Sequence, residues 1–100
     1  MRKIYLFCAA GMSTSVLVKK MQEAAAETNY ECEIIAFPVS EVGQHGPEAD
    51  IILLGPQVRF QLKTVQETVP DKPVEVIEMK DYGMMNGKNV LNTVKEKLGD

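Results

Sequence analysis

Cysteine and histidine are scarce in this chain: it has two cysteines, Cys8 and Cys32, and one histidine, His45. Two cysteines make no disulfide framework, so a reducing compartment is expected. A lone histidine with no second His or Cys at ligand spacing gives no metal site, and none is expected. The motif G-x-x-x-x-G-K-[ST] is absent, which excludes a Walker-type nucleotide site. No apolar run approaches the ~18–20 residues needed to span a bilayer. Positive charge is not in excess: the formal net charge is −3, and Lys19-Lys20 is the one adjacent basic pair well inside the chain. A nucleic-acid partner, which wants a basic patch, is not expected. Repeats, linkers and low-complexity tracts are also missing, so residues 1–100 read as one domain of common size.

What is present alternates between strand and helix patterns. "KIYLFC" (residues 3–8) is a β-rich run apolar enough to be buried on both faces. The basic residues before it resemble the start of a signal peptide, but the run is short and leads straight into a loop and a helix. It reads as a first strand of a cytoplasmic chain. In "STSVLVKKMQEAAAETN", Leu17, Met21, Ala24 and Ala25 fall on one helical face, with Ser13 and Thr14 as N-cap candidates and Asn29 as a stop. "ECEIIAFPV" (31–39) is a second strand, ended by Pro38, and "SEVGQHGPEA" is a loop with one helical turn after Ser40. "DIILLG" (50–55) has the continuous apolar character of a central parallel strand. "PQVRFQLKTVQETV" (56–69) is a helix with Val58, Leu62, Val65 and Val69 on one face. "VEVIEM" (74–79) is a fourth strand, "KDYGMMNG" a loop, and "KNVLNTVKEKLG" (88–99) a last helix with Val90, Leu91, Val94 and Leu98 inward. This order predicts an α/β fold: a parallel sheet with helices on both faces.

The chemistry concentrates after the first strand, in "CAAGMSTS". Ligands of open parallel sheets bind beyond the carboxyl ends of the strands. There Cys8 meets the start of a helix, whose unpaired N–H groups and partial positive charge suit a phosphate. The same field favours the thiolate form of a cysteine. Ala9, Ala10 and Gly11 let the backbone close around an anion, and Ser13, Thr14 and Ser15 add short donors. A thiolate inside an anion cradle is suited to attack phosphorus and carry the phosphoryl group. The competing reading is a buried strand-end cysteine beside hydroxyls that only cap a helix.

The spacing resembles the Cys-x5-Arg-Ser/Thr loop of tyrosine phosphatases, but Thr14 stands where the arginine belongs, with Ser15 in the Ser/Thr place. A phosphatase uses that guanidinium to hold the equatorial oxygens, and an Asp to protonate the leaving group. No Asp-Pro pair occurs here. The loop looks equipped to hold phosphate and poorly equipped to release it to water.

On "CAAGMSTSVLVKKM", "DIILLGPQVRFQ" and "DYGMMNGKNVL" the chain resembles the enzyme IIB component of the bacterial sugar phosphotransferase system, lactose/cellobiose (chitobiose) class, over essentially its whole length. The resemblance implies four parallel strands in the order 2-1-3-4, flanked by helices, similar to low-molecular-weight tyrosine phosphatases. It implies a protein-phosphocysteine–sugar phosphotransferase. Cys8 would accept a phosphoryl group from a phosphohistidine of the IIA protein. It would then pass it to a β-disaccharide of the cellobiose, chitobiose or lactose type in the membrane component IIC. The phosphate cradle would be Ala9, Ala10, Gly11, Met12, Ser13, Thr14 and Ser15, with no cofactor and no metal. The chain would stay cytoplasmic, peripheral to the membrane through IIC and not inserted in it. A cysteine phosphatase or arsenate-reductase-like enzyme on the same fold is the alternative, and a non-catalytic anion-binding module a third.

The remaining candidates read more plainly. Cys32, between Glu31 and Glu33, is structural, its thiolate disfavoured by flanking carboxylates. His45 is a solvated loop residue, with a phosphohistidine acceptor as the sharper alternative. Gly55 ends the third strand, so the loop after it is expected on the same edge as Cys8, and Arg59 there faces either the phosphate edge or solvent. Tyr82, Gly83 and the Met84-Met85 pair form either a docking rim or a loop closing the core. Met12 suits a contact at the crest of the cradle, and Met21 and Met79 read as core gap-fillers.

Overall fold

The computed structural model describes residues 1–9 and 12–100, the side chains of Met12 and Ser13 excepted. Four strands, β1 (Arg2–Cys8), β2 (Cys32–Pro38), β3 (Ile51–Leu54) and β4 (Val74–Val76), form one sheet in the order β2-β1-β3-β4. Every pairing is parallel. The two inner strands carry the apolar runs: Ile4, Leu6, Phe7, Ile51, Ile52, Leu53 and Leu54 are all at most 2 % exposed. Each such side chain contributes about 1.5–3 kcal/mol when buried. A one-residue slip of β1 is therefore costly at several positions at once.

The pleat sorts these residues onto two faces. Ile4, Leu6, Ile34, Ile51 and Leu53 pack under helices α1 (Met12–Glu27) and α5 (Gly87–Leu98), with Leu17, Met21, Val90, Leu91 and Val94 from the helices. Tyr5, Phe7, Ile52 and Leu54 pack on the other face against Val58, Val65 and Val69, in and after the segment that includes α3 (Leu62–Thr68). The helical faces expected from the 3.6-residue period are thus the ones buried, Leu62 and Leu98 lying half-buried at their margins. Asn29 ends the turn after α1 with a φ of 55°, and Gly99 ends α5 with a φ of 76°. Both are residue types that adopt this backbone readily.

Three elements depart from expectation. The continuous helix over 56–69 is a 3₁₀ segment, Pro56–Gln61, followed by α3, with Val58 at non-helical φ −115° and ψ 21°. Pro56 offers no N–H and Gly55 no capping side chain, so the first turn closes early through Val58 N–H to Gly55 C=O at 3.0 Å. The fourth strand stops at Val76, because it pairs only with the four-residue β3. Beyond it the chain turns into a five-residue helix, α4 (Met79–Gly83), where a loop was expected. Met79 therefore sits at the start of a surface helix and is exposed, whereas Met21 fills the core as expected.

The two ends of the chain are tied by charge. Arg2 donates to both carboxylate oxygens of Asp100 at 2.9 Å, and the Tyr30 hydroxyl donates to Asp100 Oδ2 at 2.5 Å. These bonds hold the Asp100 carboxyl at about 2, from an ordinary 3.8. A depressed carboxyl stabilises the fold above its unfolded value, and the gain is lost as pH falls through the folded one. The difference in melting temperature between wild type and Asp100→Asn is therefore expected to be constant above about pH 5. It should shrink between about pH 4 and pH 2, as acid titrations of both proteins would show.

Candidate active site

Cys8 is the last residue of β1, at the carboxyl edge of the sheet. The alternation of β1 puts it on the face of Ile4 and Leu6, beneath α1 and α5. It is 2 % exposed. Thr14, three residues into the described course of α1 and 1 % exposed, donates its hydroxyl to Cys8 Sγ at 2.8 Å. The first turn of α1 thus reaches the sulfur through a side chain. Thr14 also lies 3.1 Å from the hydroxyl of Tyr82, which is 7 % exposed.

Of the expected cradle, Ala9 is an exposed bend directly after β1 and Ser15 is exposed on α1. Ala10 and Gly11 lie outside the described residues, and so do the side chains of Met12 and Ser13. Ser13 and Thr14 are not N-caps, because α1 already includes Met12. The Thr14 hydroxyl goes to sulfur and tyrosine oxygen instead of a main-chain amide.

The loop after β3 adjoins the same sulfur residue. Gly55 N–H donates to Phe7 C=O at 2.9 Å. A Cβ at Gly55 would stand 3.2 Å from Cys8 Cβ and 2.9 Å from Gln57 Oε1. A side chain there would press on the cysteine, so glycine is what the close approach requires. Arg59 is exposed on the 3₁₀ segment, and its Nη1 donates to Pro56 C=O at 3.4 Å.

The other candidates are placed elsewhere. His45 is not a free loop residue. It ends the short helix α2 (Val42–His45), stacks on Phe37 at 3.9 Å and 15°, and lies 3.2 Å from Glu41 Oε1 through Nε2. Phe37 packs with Tyr5 and Phe7, on the face of the sheet opposite Cys8. Cys32, half-buried at the start of β2, has its thiol pushed up in pKa. The main cause is burial, with Lys95 opposing, rather than the neighbouring carboxylates. Tyr82 belongs to the buried core and not to a rim, while Met84 beside it is exposed.

Sequence reasoning placed the loop after Gly55 on the edge of Cys8 without singling out how closely Gly55 approaches it, and missed Tyr82 as the partner of Thr14. The available signal was position alone: both follow strands whose carboxyl ends share an edge with β1.

The chain is similar to known proteins over most of its length. Residues 3–93 match the family of the phosphotransferase system (PTS) lactose/cellobiose-specific IIB subunit. The chain is 47 % identical to the PTS galactose-specific EIIB component of Lactococcus lactis subsp. cremoris (strain MG1363), over 88 % of each chain. It is 46 % identical to the PTS cellobiose-specific EIIB component of Lactococcus lactis subsp. lactis (strain IL1403), again over 88 % of each. The lactose-specific IIB domain of Streptococcus pneumoniae superposes with a TM-score of 0.84 over 95 % of both chains at 18 % identity, a likeness of fold. The chain belongs to the lactose/cellobiose-specific IIB family of the phosphotransferase system, and is one of its phosphoryl-transferring components.

Proposed function

We propose that Cys8 is the residue that carries the phosphoryl group. It accepts it from a phosphohistidine of a IIA protein and delivers it to a β-disaccharide held by a membrane IIC component. The observation that carries this reading is the Thr14 hydroxyl bonded to Cys8 Sγ at 2.8 Å, where β1 gives way to α1. In the first half-reaction the thiolate attacks phosphorus in line with the imidazole nitrogen. An S–P bond forms, the N–P bond breaks, and the nitrogen keeps the electron pair. In the second, a sugar hydroxyl oxygen attacks phosphorus and sulfur leaves as thiolate, the hydroxyl proton passing to a base. The main chain of residues 9–15 and the start of α1 would supply the positive potential both steps need.

Thr14 also argues for a carrier over a hydrolase. It occupies the place of the phosphatase arginine, is buried, and is bonded to the sulfur. A neutral hydroxyl there steadies the sulfur without clamping the phosphoryl oxygens bidentately.

Partners meet the sulfur at the carboxyl edge of the sheet, where β1 ends. The surface near it suits protein partners: Phe60 and Met84 are 77 % and 70 % exposed, with Val16 and Met79 also exposed. These residues lie on segments that leave the carboxyl ends of β1, β3 and β4. Large apolar side chains on one edge fit a surface that meets IIA and IIC in turn. Among the described residues no helix is long and apolar enough to cross a membrane. A cytoplasmic chain recruited to the membrane through IIC is the arrangement we favour. Relatives at 47 % and 46 % identity bear the names of different sugars. The individual sugar of this chain is therefore left unnamed, its choice resting with IIC.

Intact-mass spectrometry tests the reading. With phosphoenolpyruvate, the general phosphocarriers and a IIA protein, the chain is expected to gain one phosphoryl group. Omission of IIA should leave it unmodified, and a chain that stays unmodified with IIA present would refute the assignment.

A further inference from the structure

We propose that Tyr82 is a positioning residue for chemistry at Cys8, acting through Thr14 to fix a donor on the sulfur. The inference rests on the reading of Cys8 as the phosphoryl carrier. Thr14 Oγ1 lies 2.8 Å from Cys8 Sγ and 3.1 Å from the Tyr82 hydroxyl, and all three residues are buried. Thr14 has one hydroxyl proton to give. An ionised sulfur only accepts, so that proton lies between Thr14 and Cys8. Thr14 then meets Tyr82 as an acceptor, and the tyrosine O–H is the donor. The chain runs one way: Tyr82 O–H to Thr14 O–H to sulfur.

Such a chain polarises along its length, each bond strengthening the next. It acts on both half-reactions, since the attacking sulfur and the departing sulfur are the same thiolate. The Thr14 hydroxyl rotor is thus tied to a group 68 residues away in the chain. Tyr82 is itself held firmly. Its ring lies in the core under α1 and α5, and its N–H donates to Glu78 C=O at 2.9 Å. Removing its hydroxyl leaves the ring in place and takes away the proton that orders Thr14.

The test compares Tyr82→Phe, Thr14→Val, Thr14→Ser and the double variant Thr14→Val/Tyr82→Phe. Two rates are measured at neutral pH: phosphorylation by a phosphorylated IIA protein, and alkylation by iodoacetamide read on the Cys8 peptide. Denaturant unfolding checks that each variant folds. Tyr82→Phe is expected to slow both rates about tenfold, equivalent to ~1.4 kcal/mol. Thr14→Val should slow them at least as much, and Thr14→Ser should stay near wild type. In the Thr14→Val background Tyr82→Phe should add nothing, which a purely structural role would not produce. Wild-type rates in Tyr82→Phe, or losses that multiply in the double variant, overturn the proposal. If Cys8 alkylates with this pattern but takes no phosphoryl group, the carrier reading fails while the hold of Tyr82 on the sulfur is upheld. A sulfur inert in both assays overturns both.

Discussion

Cys8→Ser is expected to abolish phosphoryl acceptance, with a loss on the order of 10³-fold or more, while the fold survives. The reason is chemical more than steric. Serine keeps the shape of the side chain, but its hydroxyl stays protonated at neutral pH and is a weak nucleophile without a general base. Thr14, which bonds to Sγ, is not such a base: it is a hydroxyl already engaged with Tyr82. Removing a lone nucleophile typically costs far more rate than removing a group that only steadies it. Stability should change little, by about 1 kcal/mol, because Thr14 can still bond to a serine oxygen. Quenched intact-mass kinetics on both proteins, with urea unfolding as the fold control, would show this. Transfer by Cys8→Ser at a rate comparable to wild type would remove sulfur from the mechanism.

Gly87→Ala is expected to be the most damaging alanine substitution among the described glycines. Helix propensity alone predicts the reverse, a gain of up to ~1 kcal/mol on replacing glycine by alanine in a helix. Packing decides otherwise. A Cβ at Gly87 would stand 2.5 Å from both the Lys20 carbonyl carbon and the Met21 nitrogen, and 2.7 Å from Lys20 Cβ. Two of those atoms are backbone of α1 and cannot rotate away. The helices must part, opening the core where Met21 meets Val90, Leu91 and Val94. Overpacking of this kind costs typically 1–3 kcal/mol, and more where backbone is the obstacle. Denaturant unfolding should show a net loss of at least ~2 kcal/mol. The strain should also reach the site, since α5 follows α4 and carries Tyr82 with it through residues 84–86. An unfolding midpoint equal to or above that of wild type would show that α1 and α5 are not in this close contact.

The same contact shows what a sequence of this kind discloses and what it conceals. The sheet was legible because its signals are strong and local. The apolar runs of β1 and β3 match buried central strands, and the periodic positions of α1 and α5 match their buried faces. The β4 boundary was not legible, because strand length there is set by the partner: the ladder ends when β3 ends, whatever the propensity of "IEM". The 3₁₀ segment after Gly55 was missed for a related reason. A proline start reads as helix, but only the first-turn geometry tells an i+3 bond from an i+4 bond.

At the site, the part written in consecutive residues could be read, and the part assembled across the fold could not. Cys8, the small residues after it and the hydroxyl run before a helix are adjacent in the chain. Tyr82 reaches Thr14, and Gly55 reaches Cys8, only because β1, β3 and β4 end on one edge. No local pattern marks a tyrosine as the partner of a threonine 68 positions earlier. His45 was misjudged in the same way. Its neighbours in sequence are polar, but its neighbour in space is Phe37, and burial against an aromatic ring is invisible to composition.

Peptide mapping of the phosphorylated chain decides the matter with one measurement. After transfer from IIA, digestion under conditions that preserve S–P bonds should place a single phosphoryl group on the peptide that contains Cys8. Its phosphorus NMR signal should be that of a thiophosphate ester. A phosphoryl group found on His45, on Cys32 or on a hydroxyl oxygen would contradict the assignment of Cys8 as the carrier.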